Sequence, residues 1–221
     1  MKKKKTTIAF LTDRLEFPPL EHASSEGLLA VGGDLSPERL RMAYENGIFP
    51  WFNEDSLILW WSPDPRMVLF PEELKISKSM RRVYESNRFR FTRNHNFKGV
   101  IDQCASVERK GQPGTWITAT MKQAYLKLHE LGMAISYEVW EGKELVGGLY
   151  GIDLGHVFCG ESMFSLKSNA SKCAFICLVK NLREKHYKLI DCQMYTPHLE
   201  SLGAREIPRD NFLKILRENR D

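Results

Sequence analysis

The chain has 221 residues, 43% hydrophobic and 27% charged, a balance that suits one large or two small globular domains and excludes wholesale disorder. Its 32 basic and 28 acidic residues leave a formal charge of +4, so a polyanionic partner needs a local basic patch rather than a generally cationic surface. The apolar run that follows the opening MKKKK is only Ile8-Ala9-Phe10-Leu11, too short for a signal sequence, and no stretch approaches the roughly 20 apolar residues of a membrane span; a cytoplasmic location with no membrane partner is the expectation.

In chain order, the first part is crowded with Gly, Pro and aromatic residues (FPPL, EGLLAVGGDLSPERL, NGIFPWF, LWWSPDPR) and predicts loops around one helix. Ser36 caps that helix, Pro37 takes its first position, Leu40, Ala43 and Tyr44 make its apolar stripe, and Gly47 stops it. The pattern turns regular after the Pro63 to Pro65 turn, which predicts a small N-terminal domain over 1–64 and a larger one over 65–221. Ser77 caps KSMRRVYES, whose Met80, Val83 and Tyr84 are apolar and whose Lys78, Arg81 and Arg82 form a basic face. Phe97, Val100, Ile101 and Cys104 keep helical spacing, as do Met121, Ala124, Tyr125, Leu128 and Leu131 before Gly132.

ISYEVW and ELVGGLYGI, joined by Glu141-Gly142-Lys143, and then HVFCGESMF predict an antiparallel meander. Ser168 or Asn169 caps a helix to about Lys185, and LIDCQ follows as a strand that this helix returns to pair in parallel with the sheet. PHLESLG and RDNFLKILREN close the chain as helices. The class is mixed α/β, and the order is that of an acetyltransferase-like (GNAT-like) domain with a small N-terminal lobe.

Two features bear on chemistry. In LIDCQ, a period of two puts Asp191 and Gln193 on one face of a strand, an unusual pair for a core element unless the strand ends in a site. The loop FSLKSNASK contains no glycine, whereas coenzyme A acyltransferases hold the pyrophosphate on a glycine-rich loop at this place. Trp51, Phe52, Trp60, Trp61 and Trp116 read either as core or as stacking surfaces for a nucleotide. Five cysteines without a CxxC pair argue against a disulfide framework and a zinc knuckle, and Cys173 and Cys177 read as small buried hydrophobes. A coenzyme A acyltransferase and a non-catalytic RNA-binding module are the competing classes.

The motifs EGLLAVGGDLSPERL, NGIFPWF, WWSPDPR, TWIT, VGGLYG, FCGESMFS, NASK, IDCQ and SLGA, in this order from about Phe17 to Phe212, resemble the leucyl/phenylalanyl-tRNA–protein transferase family. The resemblance implies transfer of leucine or phenylalanine, with methionine also expected, from charged tRNA to a protein whose N-terminal residue is Arg or Lys. The product carries a degradation signal, and neither metal nor cofactor is used. It places Glu161 in the site, makes Phe158, Phe175 and Ile190 walls of an aminoacyl pocket, and sets Trp51 and Trp116 around the terminal adenosine. Within that frame Asp191 is expected to orient the Gln193 amide, whose carbonyl accepts from the attacking amine; the alternative leaves the proton to a ribose hydroxyl. Glu161 is expected to meet the cationic acceptor terminus. Lys78, Arg81 and Arg82 suit acceptor-stem phosphates or simply a solvated face, with the MKKKK tail adding general attraction. Asn169, Ser171 and Lys172 open a helix whose free N–H groups face an ester oxygen or phosphate, or are merely capped. The family pattern reads A-H-S where this chain has Ala134-Ile135-Ser136, which favours a mechanism without a histidine base. A monomer is expected.

Overall fold

The computed structural model describes residues 8–106 and 116–218; the MKKKK tail lies outside them. The chain forms two compact units, one from the described residues up to Arg66 together with those from Ile207 on, the other from Met67–Glu206. Among the described residues no helix is long and apolar enough to cross a membrane.

The first unit contains strands β1 (Ala9–Leu11) and β2 (Leu28–Gly32), helix α1 (Pro37–Glu45), and strands β3 (Phe49–Pro50) and β4 (Leu59–Trp61). The strands make a mixed sheet in the order β1-β2-β4-β3, with β1 parallel to β2 and the other pairs antiparallel. The sequence predicts loops here because these strands have two to five residues, too few for an alternation to register. Helix α1 starts as expected, with Ser36 Oγ accepting from the Arg39 N–H and Pro37 at the first position. Trp60 is fully buried and donates its indole N–H to the Gly32 carbonyl at 2.9 Å. Buried Arg39 donates to Asp34 and to the carbonyls of Thr12 and Arg14, tying the incoming segment to the helix.

In the second unit the chain runs β5 (Arg66–Leu69), α2 (Lys78–Glu85), β6 (Arg90–Arg93), α3 (Phe97–Ser106), α4 (Ala119–Glu130), β7 (Ala134–Glu141), β8 (Glu144–Asp153), β9 (Val157–Ser165), α5 (Ala170–Glu184), β10 (Leu189–Gln193), α6 (Pro197–Ser201) and β11 (Arg205–Ile207). The mixed sheet has the order β11-β5-β10-β9-β8-β7-β6. The meander β7-β8-β9 is antiparallel, and α5 returns the chain so that β10 pairs in parallel with β9. Beneath α5 the sheet carries Gly147, where a Cβ would come within 2.6 Å of the Ala170 Cβ; the missing side chain lets the first turn of α5 lie on the strand.

Asn169 precedes α5 in a left-handed conformation (φ 69°) and its side chain makes no capping bond. The cap comes instead from the end of β9, where Ser165 Oγ accepts from the Ser171 N–H at 3.1 Å. All five cysteines are free thiols; burial pushes Cys173 up to about 11, while Cys177 and Cys192 are only half-buried.

Helix α7 (Arg209–Arg217) belongs to the first unit, whereas the sequence reading assigns all of 65–221 to one domain. The reason is packing: the Arg66 guanidinium lies 4.8 Å from the rings of both Phe49 and Phe212, and a Cβ at Gly47 would meet Phe212 and Leu213 at 2.9 Å.

Candidate active site

The adjacent parallel strands β9 and β10 bring Glu161 and Gln193 together. Gln193 Nε2 donates to Glu161 Oε1 at 2.9 Å, and the second carboxylate oxygen, Oε2, accepts from the Tyr125 hydroxyl at 2.8 Å. Tyr125 projects from α4, is fully buried and meets the Tyr150 ring edge-on at 5.5 Å. A carboxylate only accepts, so it compels Gln193 to present its NH2 group. The Gln193 carbonyl oxygen is thereby turned away from Glu161, and among the described residues no donor is paired with it.

This geometry corrects the expected role of Asp191. Its Oδ1 accepts from the main-chain N–H of Gln193 at 3.0 Å, and the carboxylate tethering the Gln193 side chain is Glu161. The simple alternation also breaks here. The ladder with β5 has a bulge between Asp191 and Gln193, and Gln193 adopts a positive φ of 65°. Glu161, expected to meet the cationic acceptor terminus, accepts from both Tyr125 and Gln193.

Phe158, Phe175 and Ile190 do come together, but in the closed core. They are 0%, 4% and 1% exposed, so they do not line a cavity open to water, contrary to the expectation of pocket walls. Met163, Cys192 and Leu199 pack against the same cluster and are only partly buried. Ile135 joins the cluster too, with no polar contact to replace a histidine.

In the first unit Trp51 is half-buried against Trp61, 5.7 Å between ring centroids, and Trp61 donates its indole N–H to the Trp51 carbonyl. In the second unit Trp116 is also half-buried and stands just before Thr118, whose Oγ1 caps α4 by accepting from Met121 N at 3.1 Å. Lys78, Arg81 and Arg82 are exposed on α2, around a buried Met80. Ser171 and Lys172 are half-buried at the start of α5, and His198 on α6 is held below the usual histidine range by partial burial and then by the Lys172 charge.

Residues 68–217 match the family model described as leucyl/phenylalanyl-tRNA protein transferase, and residues 33–64 match that of its N-terminal domain. The chain belongs to this family. It is 61% identical over 208 residues to a leucyl/phenylalanyl-tRNA–protein transferase of Flavobacterium johnsoniae, covering 94% of this chain and 98% of the relative. The transferase of Shewanella halifaxensis is 56% identical over 211 residues, covering 95% and 89%. Among solved structures, L-PGS from Bacillus licheniformis is 14% identical with a TM-score of 0.42, covering 72% of this chain and 52% of that one. Glu161, Asp191, Gln193 and Tyr125 all fall within the transferase match, and Trp51 within that of its N-terminal domain. Of these, the sequence reading missed Tyr125 as a site residue, since its spacing assigns it to the apolar stripe of α4.

Proposed function

We propose that the Glu161–Gln193 pair is where this transferase joins a leucyl or phenylalanyl group, carried as a tRNA ester, to the N-terminal amine of a protein beginning with Arg or Lys. One observation carries the reading: a Gln193 carbonyl oxygen kept away from Glu161, whose carboxylate occupies the amide's other end. That oxygen accepts an N–H of the incoming amine and steadies the positive charge that grows on nitrogen during attack. The ester is already activated, and an α-amine with a reference pKa near 7.7 to 8.0 is partly neutral at cellular pH. The N–C bond forms as the ester C–O bond breaks, and the surplus amine proton ends on the departing ribose oxygen. A carboxamide is far too weak a base to keep that proton, so Gln193 aligns and the ribose carries it away. Alignment of two large substrates supplies the main rate gain, an effect worth up to about 7 to 11 kcal/mol.

Around this pair, Met163, Cys192 and Leu199 offer the partly open apolar surface for the aminoacyl side chain, with Phe158, Phe175 and Ile190 as its rigid backing. Such a surface sorts large from small side chains and separates leucine from methionine weakly. Trp116 in the second unit offers a stacking face for the terminal nucleotide, at about 1 to 3 kcal/mol per base, and Trp51 in the first unit is a separate candidate for tRNA contact. Lys78, Arg81 and Arg82 meet stem phosphates, and the N–H groups at Asn169 and Lys172 face the reacting end, while that of Ser171 is held by Ser165 Oγ. The antiparallel meander followed by a crossover helix and a parallel strand supports an acetyltransferase-like ancestry for this unit.

The test is direct. The protein is mixed with leucyl-tRNA and a peptide beginning with Arg, and mass spectrometry looks for leucine at the peptide's N terminus. Leucine addition that disappears on ribonuclease treatment is expected. Absence of addition, or acetylation from acetyl-CoA in its place, overturns the reading.

A further inference from the structure

Seven large apolar side chains stand exposed among the described residues, and one pair of them is consecutive in the chain: Met194 and Tyr195, 40% and 49% exposed. A single exposed apolar residue is ordinary, whereas two side by side next to a reacting group call for a cover. This pair follows Gln193 directly. The segment that carries it is held at both ends. The Met194 N–H donates to the Cys192 carbonyl at 2.8 Å, and Thr196 caps α6, whose Leu199 packs on the core. Between them the Tyr195 hydroxyl donates to Glu200 Oε2 at 2.8 Å.

The surroundings distinguish one occupant from another. The Tyr195 hydroxyl titrates above its ordinary range, first because it donates to Glu200, then by desolvation, and then through the charges of Glu200 and Glu206. Two carboxylates this near repel the phosphates of a nucleic acid and suit a polypeptide whose first residue is cationic. The family's acceptor is such a polypeptide, beginning with Arg or Lys. Consecutive Cα atoms lie about 3.8 Å apart in both chains, so an acceptor whose amine meets Gln193 brings its second residue within one or two residue lengths of Met194 and Tyr195.

We propose that Met194 and Tyr195 form a subsite for the second residue of the acceptor polypeptide, favouring a large apolar side chain there over a small polar or acidic one. The bond to Glu200 fixes the Tyr195 ring before the acceptor arrives, so little side-chain freedom is lost on binding. This rests on the assignment of Gln193 proposed above.

The experiment uses three peptides identical except at the second position, beginning Arg-Leu, Arg-Ser and Arg-Asp. Leucyl transfer to each is measured at varied peptide and leucyl-tRNA concentrations for the parent, for Tyr195→Phe and for the double variant Met194→Ala with Tyr195→Ala, with thermal melts as the folding control. Partial burial of a leucine side chain on this surface is worth about tenfold in kcat/KM, so the parent should prefer Arg-Leu to Arg-Ser by about that factor, through the peptide KM, and use Arg-Asp least. In the double variant the ratio of Arg-Leu to Arg-Ser should fall to about twofold or less, with the KM for leucyl-tRNA within about twofold of the parent. Tyr195→Phe keeps the ring and should keep a ratio of about fivefold or more. Separately, NMR of the protein labelled at its methionine methyl groups follows Met194 as the Arg-Leu peptide or uncharged tRNA is added, so that no transfer takes place; the methyl signal should move with the peptide. The proposal is overturned if the parent shows no preference at the second position, or if the double variant keeps the parent's ratio. It is equally overturned if the Met194 signal moves with the tRNA and not with the peptide, which would make the nucleic acid the occupant. Should the parent transfer no leucine to any peptide, the functional assignment falls, and the methyl titration alone decides the subsite.

Discussion

Replacing Glu161 separates the work of its two oxygens, one on the Tyr125 hydroxyl at 2.8 Å and one on the Gln193 amide at 2.9 Å. In Glu161→Gln the new side chain has the same shape with one oxygen and one NH2 group. With its oxygen toward Gln193, its NH2 faces Tyr125, whose hydroxyl turns and accepts. Both contacts survive as neutral bonds, so the loss is the difference between a charged and a neutral hydrogen bond, about 1 kcal/mol or roughly fivefold in kcat/KM. In Glu161→Ala a charged bond worth about 1.5 to 3 kcal/mol is lost, and re-ordering the freed Gln193 side chain costs about 0.5 to 1.5 kcal/mol more. The total of about 2 to 4.5 kcal/mol corresponds to roughly 30- to 2,000-fold. Adding Tyr125→Phe to Glu161→Gln strands an NH2 group against a ring, so the pair should lose more than the product of the single losses, by about 1 kcal/mol. Steady-state leucyl transfer to an Arg peptide measures the parent, the three single variants and the double variant, with thermal melts as the folding control. The reasoning is refuted if Glu161→Gln is as inactive as Glu161→Ala while both melt like the parent.

Gly147→Ala puts a methyl group 2.6 Å from the Ala170 Cβ and 2.9 Å from its carbonyl carbon, neither of which can swing aside. Overpacking of about 1 to 3 kcal/mol lowers Tm by about 2 to 12 °C in a chain of this size, read by thermal denaturation. Lys172→Met should raise the His198 titration seen by NMR, yet leave it below 6.5, because partial burial is the larger cause of its depression and the Lys172 charge the smaller. With the folded pKa lowered, the unfolded chain binds the extra proton first. His198 therefore costs stability as pH falls from 6.5 toward its folded value, and Lys172→Met narrows that window. Changing Lys78, Arg81 and Arg82 together to Gln should leave kcat unaltered and flatten the dependence of log KM for tRNA on log salt by about 2 to 3, roughly 0.7 to 0.9 per phosphate contact. An unchanged slope would mean that this face of α2 is only solvated.

Much of the second unit was readable because its elements are long enough for periodicity to speak. The meander, α5 and the parallel return of β10 follow from alternating strands, a helical run and the order between them. The first unit was not readable as a sheet, since β3 has two residues and β1 three, and their partners lie far along the chain. At the site, the motifs GES and IDCQ singled out Glu161, Asp191 and Gln193, but not who holds whom. Alternation presumes an unbroken ladder, and nothing in the letters of IDCQ announces a bulge or a left-handed glutamine. Tyr125 was hidden for a different reason: its ring belongs to the apolar face of α4, and only its terminal oxygen reaches Glu161. Phe158, Phe175 and Ile190 show the reverse, since apolar residues that can wall a pocket are the same types that fill a core.

Tyr125 stands on a rod whose other end is seated by Thr118, two residues after Trp116. From Ala119 to Tyr125 the helix advances about 9 Å, a stiff lever rather than a loose string. Whatever shifts the tryptophan end by a fraction of an ångström therefore tugs the phenol, and through it the carboxylate and the carboxamide. On the proposed assignment of Trp116 and of the Glu161–Gln193 pair, the substrate-holding and the reacting parts share one girder, so that seating and readiness move in step.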